Sequence, residues 1–364
     1  MAHEELTGTQ TDTPMVCSRR SYARNDVQTW QDFDPDAVGR ELGYAQDFGF
    51  NSVRIFLASI VWKHDRHRFM QSYEHFLRLC AAANLTALVT IFDRDFPNCR
   101  CGIPTGSANC TGDCITPTEL FITSGAYKNS TWCPNPGVGV LSLGPSGWGY
   151  LDDFARATLG GQYADDPRIE AIEVMNEPHE DVLVPFIDHM ATLIKRISRR
   201  PLAHEPAYNS KSTVAAALAD IWSQHIYGAN PATTSADMYA IATRERAAAA
   251  SSNKTMLVTE FAKRPAQPYC AALRGALAAG VGTYAWELML GIDQFGPLQN
   301  SAANGIGPPY KAGPVYQGRA TCIPLLCDQL SSDQLSCTFT LKCVCARACV
   351  CVAVTKCRFD LAEW

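Results

Sequence analysis

From Pro35 onward the chain alternates amphipathic stretches with short apolar runs, and this rhythm constrains its fold more than any other feature. Strands separated by helices call for parallel pairing, because each crossover must carry the chain back before the next strand begins. The stretch PDAVGRELGYAQDFG, 35–49, places Val38, Leu42, Ala45 and Phe48 three or four residues apart. It follows Asp34 as a helix N-cap and ends at a glycine, so a helix is expected there. The strand NSVRIFL, 51–57, comes next, and the unit repeats with a helix near 69–83 and the strand LTALVTIFD, 85–93.

A long cysteine-rich loop and a helix near 149–159 lead to IEAIEVMNE, 169–177. Here Ile172 and Val174 share one face, and Glu173, Met175 and Glu177 the other, as expected if one face packs on helices and the other points into a barrel. A helix over 184–198 precedes STVAAAL from Ser212, which is counted as the fifth strand. DIWSQHIYG, a helix near 236–250, KTMLVTEFA, a helix near 269–279 and GTYAWELML complete the series. Seven strands result, and the short MVCS segment at 15–18 supplies an eighth. The expected fold class is α/β, a (β/α)₈ TIM barrel with a short first strand. An open doubly wound sheet is the competitor, but no Gly-rich phosphate loop follows any strand.

With 364 residues and 47% hydrophobic content, one large catalytic domain is expected over 15–318, after an unstructured leader at 1–14. The net charge of -5 is spread without a basic block, which argues against nucleic acid as a partner. No apolar run approaches the roughly 20 residues that span a bilayer, so no membrane insertion is expected. Sixteen cysteines point to an oxidising compartment and to disulfides, with Cys99, Cys101, Cys110, Cys114 and Cys133 crowded into one loop. Sequons at Asn84, Asn109, Asn129 and Asn253 point the same way. The polar N-terminus MAHEELTGTQTDTP is no secretion signal, so a missing upstream segment is the expected reconciliation. Over 319–364 the pattern breaks. This Cys-rich tail reads as disordered or mistranslated, with a metal-thiolate cluster at Cys343, Cys345, Cys349 and Cys351 as the rival reading.

In barrel enzymes, polar residues at the C-terminal ends of strands converge on one face. Those ends here carry Arg54, Asp93, Asn176, Glu177, His225, Tyr227, Glu260 and Trp286. Glu177 and Glu260 stand out, because hydrolysis of a glycosidic bond needs one acid for the leaving oxygen and one carboxylate for the oxocarbenium-like centre. A carboxylate at a strand end can also simply cap the next helix, and His225 alone can be structural. Trp30 and Trp148 read as outer sugar platforms or as lids packed on the rim. Asp93 and Asp95 read as sugar contacts or as partners of Arg94.

The set SVRIFL with Arg54, EVMNEP with Asn176 and Glu177, HIYG with His225 and Tyr227, LVTEF with Glu260, and YAWEL with Trp286 resembles glycoside hydrolase clan A. Within the clan it is similar to the cellulase and mannanase type of family 5, over about Tyr22 to Gly318. The resemblance implies a retaining O-glycosyl hydrolase of β-linked glycosides or polysaccharides, with Glu177 as acid/base and Glu260 as nucleophile. It implies that Asn176 bonds the sugar 2-hydroxyl, Arg54 and Tyr227 orient Glu260, Trp286 floors the subsite of the attacked sugar, and His225 lines the cleft. Asp93 and Trp30 are added as substrate contacts. A monomer with an oligo- or polysaccharide substrate is expected; no cofactor or metal is, since two carboxylates and water suffice. A noncatalytic carbohydrate-binding barrel is the alternative.

Overall fold

The computed structural model of the chain describes residues 15–17, most of 22–93, parts of 122–150, most of 151–226, and 234–261, 269–285, 335–344 and 350–359. Eight parallel strands close in sequence order into a barrel. They are β1 (Met15–Cys17), β2 (Ser52–Phe56), β3 (Thr86–Asp93), β4 (Ile169–Asn176), β5 (Leu202–His204), β6 (Ile221–His225), β7 (Thr255–Phe261) and β8 (Gly282–Ala285). The short first strand anticipated at 15–18 closes the seam: Val16 is in register with Val53 on one side and with Ala285 on the other.

The helices form where local signals ask for them. Helix Pro35–Asp47 starts at the Asp34 carboxylate, whose Oδ1 accepts the backbone N–H groups of Asp36 and Ala37 at 3.1 and 3.0 Å. It turns its Val38, Leu42 and Ala45 face inward and ends where Gly49 takes a left-handed φ of 78°. Helix Arg66–Ala82 is capped by Asp65 and buries Phe69, Tyr73, Phe76, Leu77 and Cys80 along one stripe. Thr234 and Asp237 form a reciprocal capping box for helix Ser235–Ser251.

Two layers of core result. Outside the barrel, strand residues such as Val53, Ile55, Val89, Ile172 and Val174 pack against the helices. Inside, Phe56, Leu88, Ala171, Ala203, Ile221 and Tyr284 fill the lumen, which is therefore packed and not a pore. Met175 joins the outer cluster, so the alternation expected along β4 fails at the strand's end.

Three sequence expectations need correction. STVAAAL is not a strand: Thr213–Leu218 is helical, and β5 is the three-residue Leu202–His204 that follows helix Val184–Ile197. Three residues are too few for alternation to show, whereas the alanines of the later segment are strong helix formers. Trp30 is not a loop platform for sugar. It lies in helix Asp26–Gln31, is 1% exposed, donates Nε1–H to the Phe56 carbonyl at 2.7 Å and packs on Phe69, Tyr73 and Phe76. Trp30→Ala is accordingly expected to cost about 3–5 kcal/mol of stability in denaturant melts, as for other buried aromatics; a loss of substrate affinity without destabilisation would restore the platform role. In the tail, Leu335–Val344 and Val350–Phe359 pair antiparallel from Leu335↔Phe359 to Val344↔Val350, where no regular order was expected. LSCTFTLKCV does alternate apolar with polar residues, a period-2 signal that the abundance of cysteine obscures.

Trp148 is also packed rather than presented: it is 4% exposed, and its ring meets Phe186 edge to face and His189 at a tilt. The crowded cysteines at 99–133 lie outside the described residues, as do Asp95, Tyr227 and Trp286. Cys80 lies on the buried face of helix Arg66–Ala82.

Candidate active site

The C-terminal ends of β2, β3, β4, β5, β6 and β7 bring one connected network of charged and polar groups to the mouth of the barrel. Arg54 is at its base, fully buried on β2, where alternation turns it into the lumen. Its Nη1 donates to Glu260 Oε1 at 2.5 Å, and its Nη2 donates to Glu173 Oε2 at 2.5 Å and to Asn176 Oδ1 at 2.7 Å. Its Nε donates to Glu173 Oε2 at 2.8 Å and to Thr90 Oγ1 at 3.1 Å, and its guanidinium lies 4.6 Å from the centre of the Phe56 ring. A planar fork with several donors can hold two carboxylates and an amide at once; an ammonium cannot.

Local backbone irregularity aims the two predicted carboxylates. In β7 the register slips between Val258 and Phe261 against β8, and again at Glu260 against β6. The bulge breaks the period of two and turns Glu260 toward Arg54, as bulges beside active sites commonly re-aim a side chain. Glu177 follows the last residue of β4 with φ at 44°, a left-handed conformation that costs a non-glycine residue about 1–2 kcal/mol. That turn brings the Glu177 carboxylate over the lumen, where Oε1 meets His225 Nδ1 at 2.8 Å. One oxygen of Glu177, one nitrogen of His225 and one oxygen of Glu260 all lie within 4.8 Å of one another.

His225, on β6, has a fully buried imidazole. Its Nε2 stands 2.6 Å from Glu205 Oε1 and 3.6 Å from Glu260 Oε1. Burial alone would lower the proton affinity of the ring, but the charges of Glu205 and Glu260 and the hydrogen bonds to Glu177 and Glu205 outweigh it. The result is a ring held protonated well above its ordinary range. Asp93, at the end of β3, accepts from Asn176 Nδ2 at 2.9 Å. This bond orients the Asn176 amide whose oxygen faces Arg54, while Arg94, one of the two partners expected for Asp93, lies outside the described residues. Beside Asp93, the buried Asn135 ties the loop after β3 to the rim, accepting the Ser59 N–H at 2.8 Å and donating to the Leu57 and Ile91 carbonyls.

The structure thus gathers Arg54, Asp93, Asn176, Glu177, His225 and Glu260 as the strand-end argument predicts, and removes Trp30 from the set. Two carboxylates of the network were not predicted as site residues. Glu173 was placed on the inward face of β4 but not assigned a role; it is the second carboxylate on Arg54. Glu205, fully buried immediately after β5, was missed because that strand itself was misplaced. The signal that would have found it is the same one used elsewhere, a carboxylate ending a strand, in PLAHE.

No family model matches this sequence, and no curated protein matches it. Among solved structures, the fold is similar to that of the endo-β-1,4-mannanase from Thermotoga petrophila, at 13% identity over 88% of this chain and 79% of that chain, with a TM-score of 0.53. A glycoside hydrolase family 5 mannosidase from Rhizomucor miehei is 17% identical over 74% of this chain and 81% of its own, with a TM-score of 0.47. At such identities the likeness is one of fold, the (β/α)₈ barrel.

Proposed function

We propose that this chain is a retaining O-glycosyl hydrolase of β-linked glycosides, with Glu177 as acid/base and Glu260 as nucleophile. One observation carries the reading: two carboxylates from β4 and β7 approach within 4.8 Å, oxygen to oxygen, at the C-terminal mouth of a closed barrel. Retaining enzymes hold their carboxyl groups about 5–5.5 Å apart, whereas inverting enzymes leave about 6.5–9.5 Å for a water molecule. The narrow gap supports direct attack by a carboxylate.

Exposure divides the labour among the carboxylates. Glu177 and Glu260 side chains are 12% and 7% exposed, while Glu173 and Glu205 are at 0%, so only the first two can meet a substrate. In the first step Glu260 attacks the anomeric carbon as the glycosidic bond breaks, and Glu177 passes a proton to the departing oxygen. In the second step Glu177 takes a proton from water, and that water displaces Glu260 from the sugar. His225 Nδ1 meets Oε1 of Glu177, and His179 Nε2 stands 3.8 Å from its Oε2. Arg54 orients Glu260, and Asn176, held between Arg54 and Asp93, presents its amide toward the sugar 2-hydroxyl. Tyr227 and Trp286 keep the roles that the resemblance implies, orienting Glu260 and flooring the sugar subsite.

The test is incubation with activated 2-deoxy-2-fluoro glycosides, followed by peptide mass spectrometry. β-Mannosides and β-glucosides belong in the series, the former because the barrel resembles that of a β-1,4-mannanase. A sugar ester on Glu260 is expected, and the reactive member of the series names the sugar. Saccharide binding by folded protein, with no ester and no hydrolysis across the series, would identify a binding-only barrel.

A further inference from the structure

We infer that Glu205 is a positioning residue for the acid/base, clamping both the main chain and the side chain of Glu177. The inference rests on the assignment of Glu177 proposed above. The topology explains how one carboxylate reaches both targets. β5 lies between β4 and β6, so a side chain pointing inward just past its end stands between the residues that end its neighbours. Glu205 Oε2 accepts the backbone N–H of Glu177 at 2.6 Å, and Oε1 lies 2.6 Å from His225 Nε2. His225 in turn holds Glu177 Oε1 at 2.8 Å.

The first contact has a specific physical task. Glu177 sits at φ 44°, a conformation that persists only when its surroundings over-determine it. A charge-assisted bond to its own N–H is such a restraint, and it acts where the chain leaves β4. The second contact sets the state of the ring. Among the described residues, the charged groups that face His225 are Glu177 from β4, Glu205 from β5 and Glu260 from β7, with Arg54 and Glu173 linked to Glu260 behind them. Glu260 is engaged by Arg54 and stands 3.6 Å from the ring, so Glu205 is the closer counter-ion. Burial raises the Glu205 carboxyl above its ordinary range, and the His225 charge opposes that rise. Glu205 is itself too buried to touch a substrate.

Glu205→Gln separates these roles, because the amide oxygen can still accept the Glu177 N–H while the charge opposite His225 is gone. The ring then loses its nearest counter-ion and becomes neutral at lower pH. A neutral ring no longer places a positive charge beside Glu177, so Glu177 binds its proton more tightly and the alkaline limb of kcat/KM against pH moves to higher pH.

The experiment compares 2,4-dinitrophenyl with unsubstituted phenyl β-glycosides of the sugar that labels Glu260, using the full chain. With phenyl glycosides, which need the acid, E205Q is expected to lose on the order of 10²-fold in kcat/KM, because a neutral His225 no longer fixes the Glu177 carboxyl through a charge-assisted bond. With dinitrophenyl glycosides, which do not, it should lose less than about a tenth of that, again by the acid-catalysis argument. Equal losses on both substrates with an unmoved alkaline limb would reduce Glu205 to a merely structural residue and overturn the inference. Should E205Q not fold, ¹⁵N spectra of the wild-type histidines decide: His225 must carry protons on both ring nitrogens at neutral pH, and a neutral tautomer overturns the inference. Wild-type protein that neither hydrolyses nor labels defeats the glycosidase assignment itself. An active, labelled wild type with an unaltered E205Q profile defeats only the role of Glu205.

Discussion

Glu260→Ala is expected to lose on the order of 10⁵–10⁶-fold in kcat on every substrate, the scale seen when a covalent nucleophile is removed. Among the described residues no other carboxylate of the site can replace it: Glu173 and Glu205 are fully buried, and Glu177 is held by His225. Glu177→Ala should differ in kind. With a poor leaving group the loss is on the order of 10²–10⁴-fold, the usual share of general acid catalysis, and with an activated leaving group the first step should survive. Azide supplies an independent check. It should restore turnover in both variants, giving a glycosyl azide of inverted configuration with Glu260→Ala and of retained configuration with Glu177→Ala. The same configuration from both, or equal losses on activated substrates, would reverse or remove the assigned roles.

Arg54→Met carries the second large effect. Arg54 is the shared cation of Glu173 and Glu260 and a donor to Asn176 and Thr90, all from a side chain with no exposed surface. Methionine fills much of the volume but leaves two carboxylates in the barrel without their cation. Breaking a buried pair from one side typically costs about 3–5 kcal/mol, far more than the pair itself contributes relative to apolar groups. Denaturant melts should show that loss. In whatever fraction folds, kcat should fall on the order of 10²–10³-fold, since a preorganised electrostatic partner of the nucleophile is gone. Arg54→Lys should rescue only part of either, because one ammonium cannot occupy the positions of Nε, Nη1 and Nη2 together. A stable Arg54→Met protein with activity within ten-fold of wild type would show that Glu260 is oriented by something else.

The barrel was legible because its signals are local and repeated. Apolar periodicity, Asp34 at a helix start, and β-branched runs such as LTALVTIF are written in consecutive residues, and each is set by backbone sterics and hydrogen bonding that act within a few residues. Strand-end polarity was legible for the same reason, which is why Arg54, Asp93, Asn176, Glu177, His225 and Glu260 were named before any geometry was known. What failed was a strand of only three residues, Leu202–His204, whose existence depends on the neighbours β4 and β6 and not on its own pattern. Glu205 was lost with it. Trp30 was misjudged because an aromatic after a strand reads alike whether it faces solvent or the core.

The tertiary structure alone decided the rest. The order of residues placed Glu177 and Glu260 on a common rim, but their approach within 4.8 Å depends on a bulge in β7, a left-handed residue after β4 and the closure of β1 between β2 and β8. Arg54 meets Glu260 across a separation of 206 residues, and Glu205 meets His225 because a parallel barrel sets adjacent strand ends side by side. A sequence can specify which groups reach one face, since alternation is a property of the chain. The distances between them are a property of closure, and so is the chemistry they can do together.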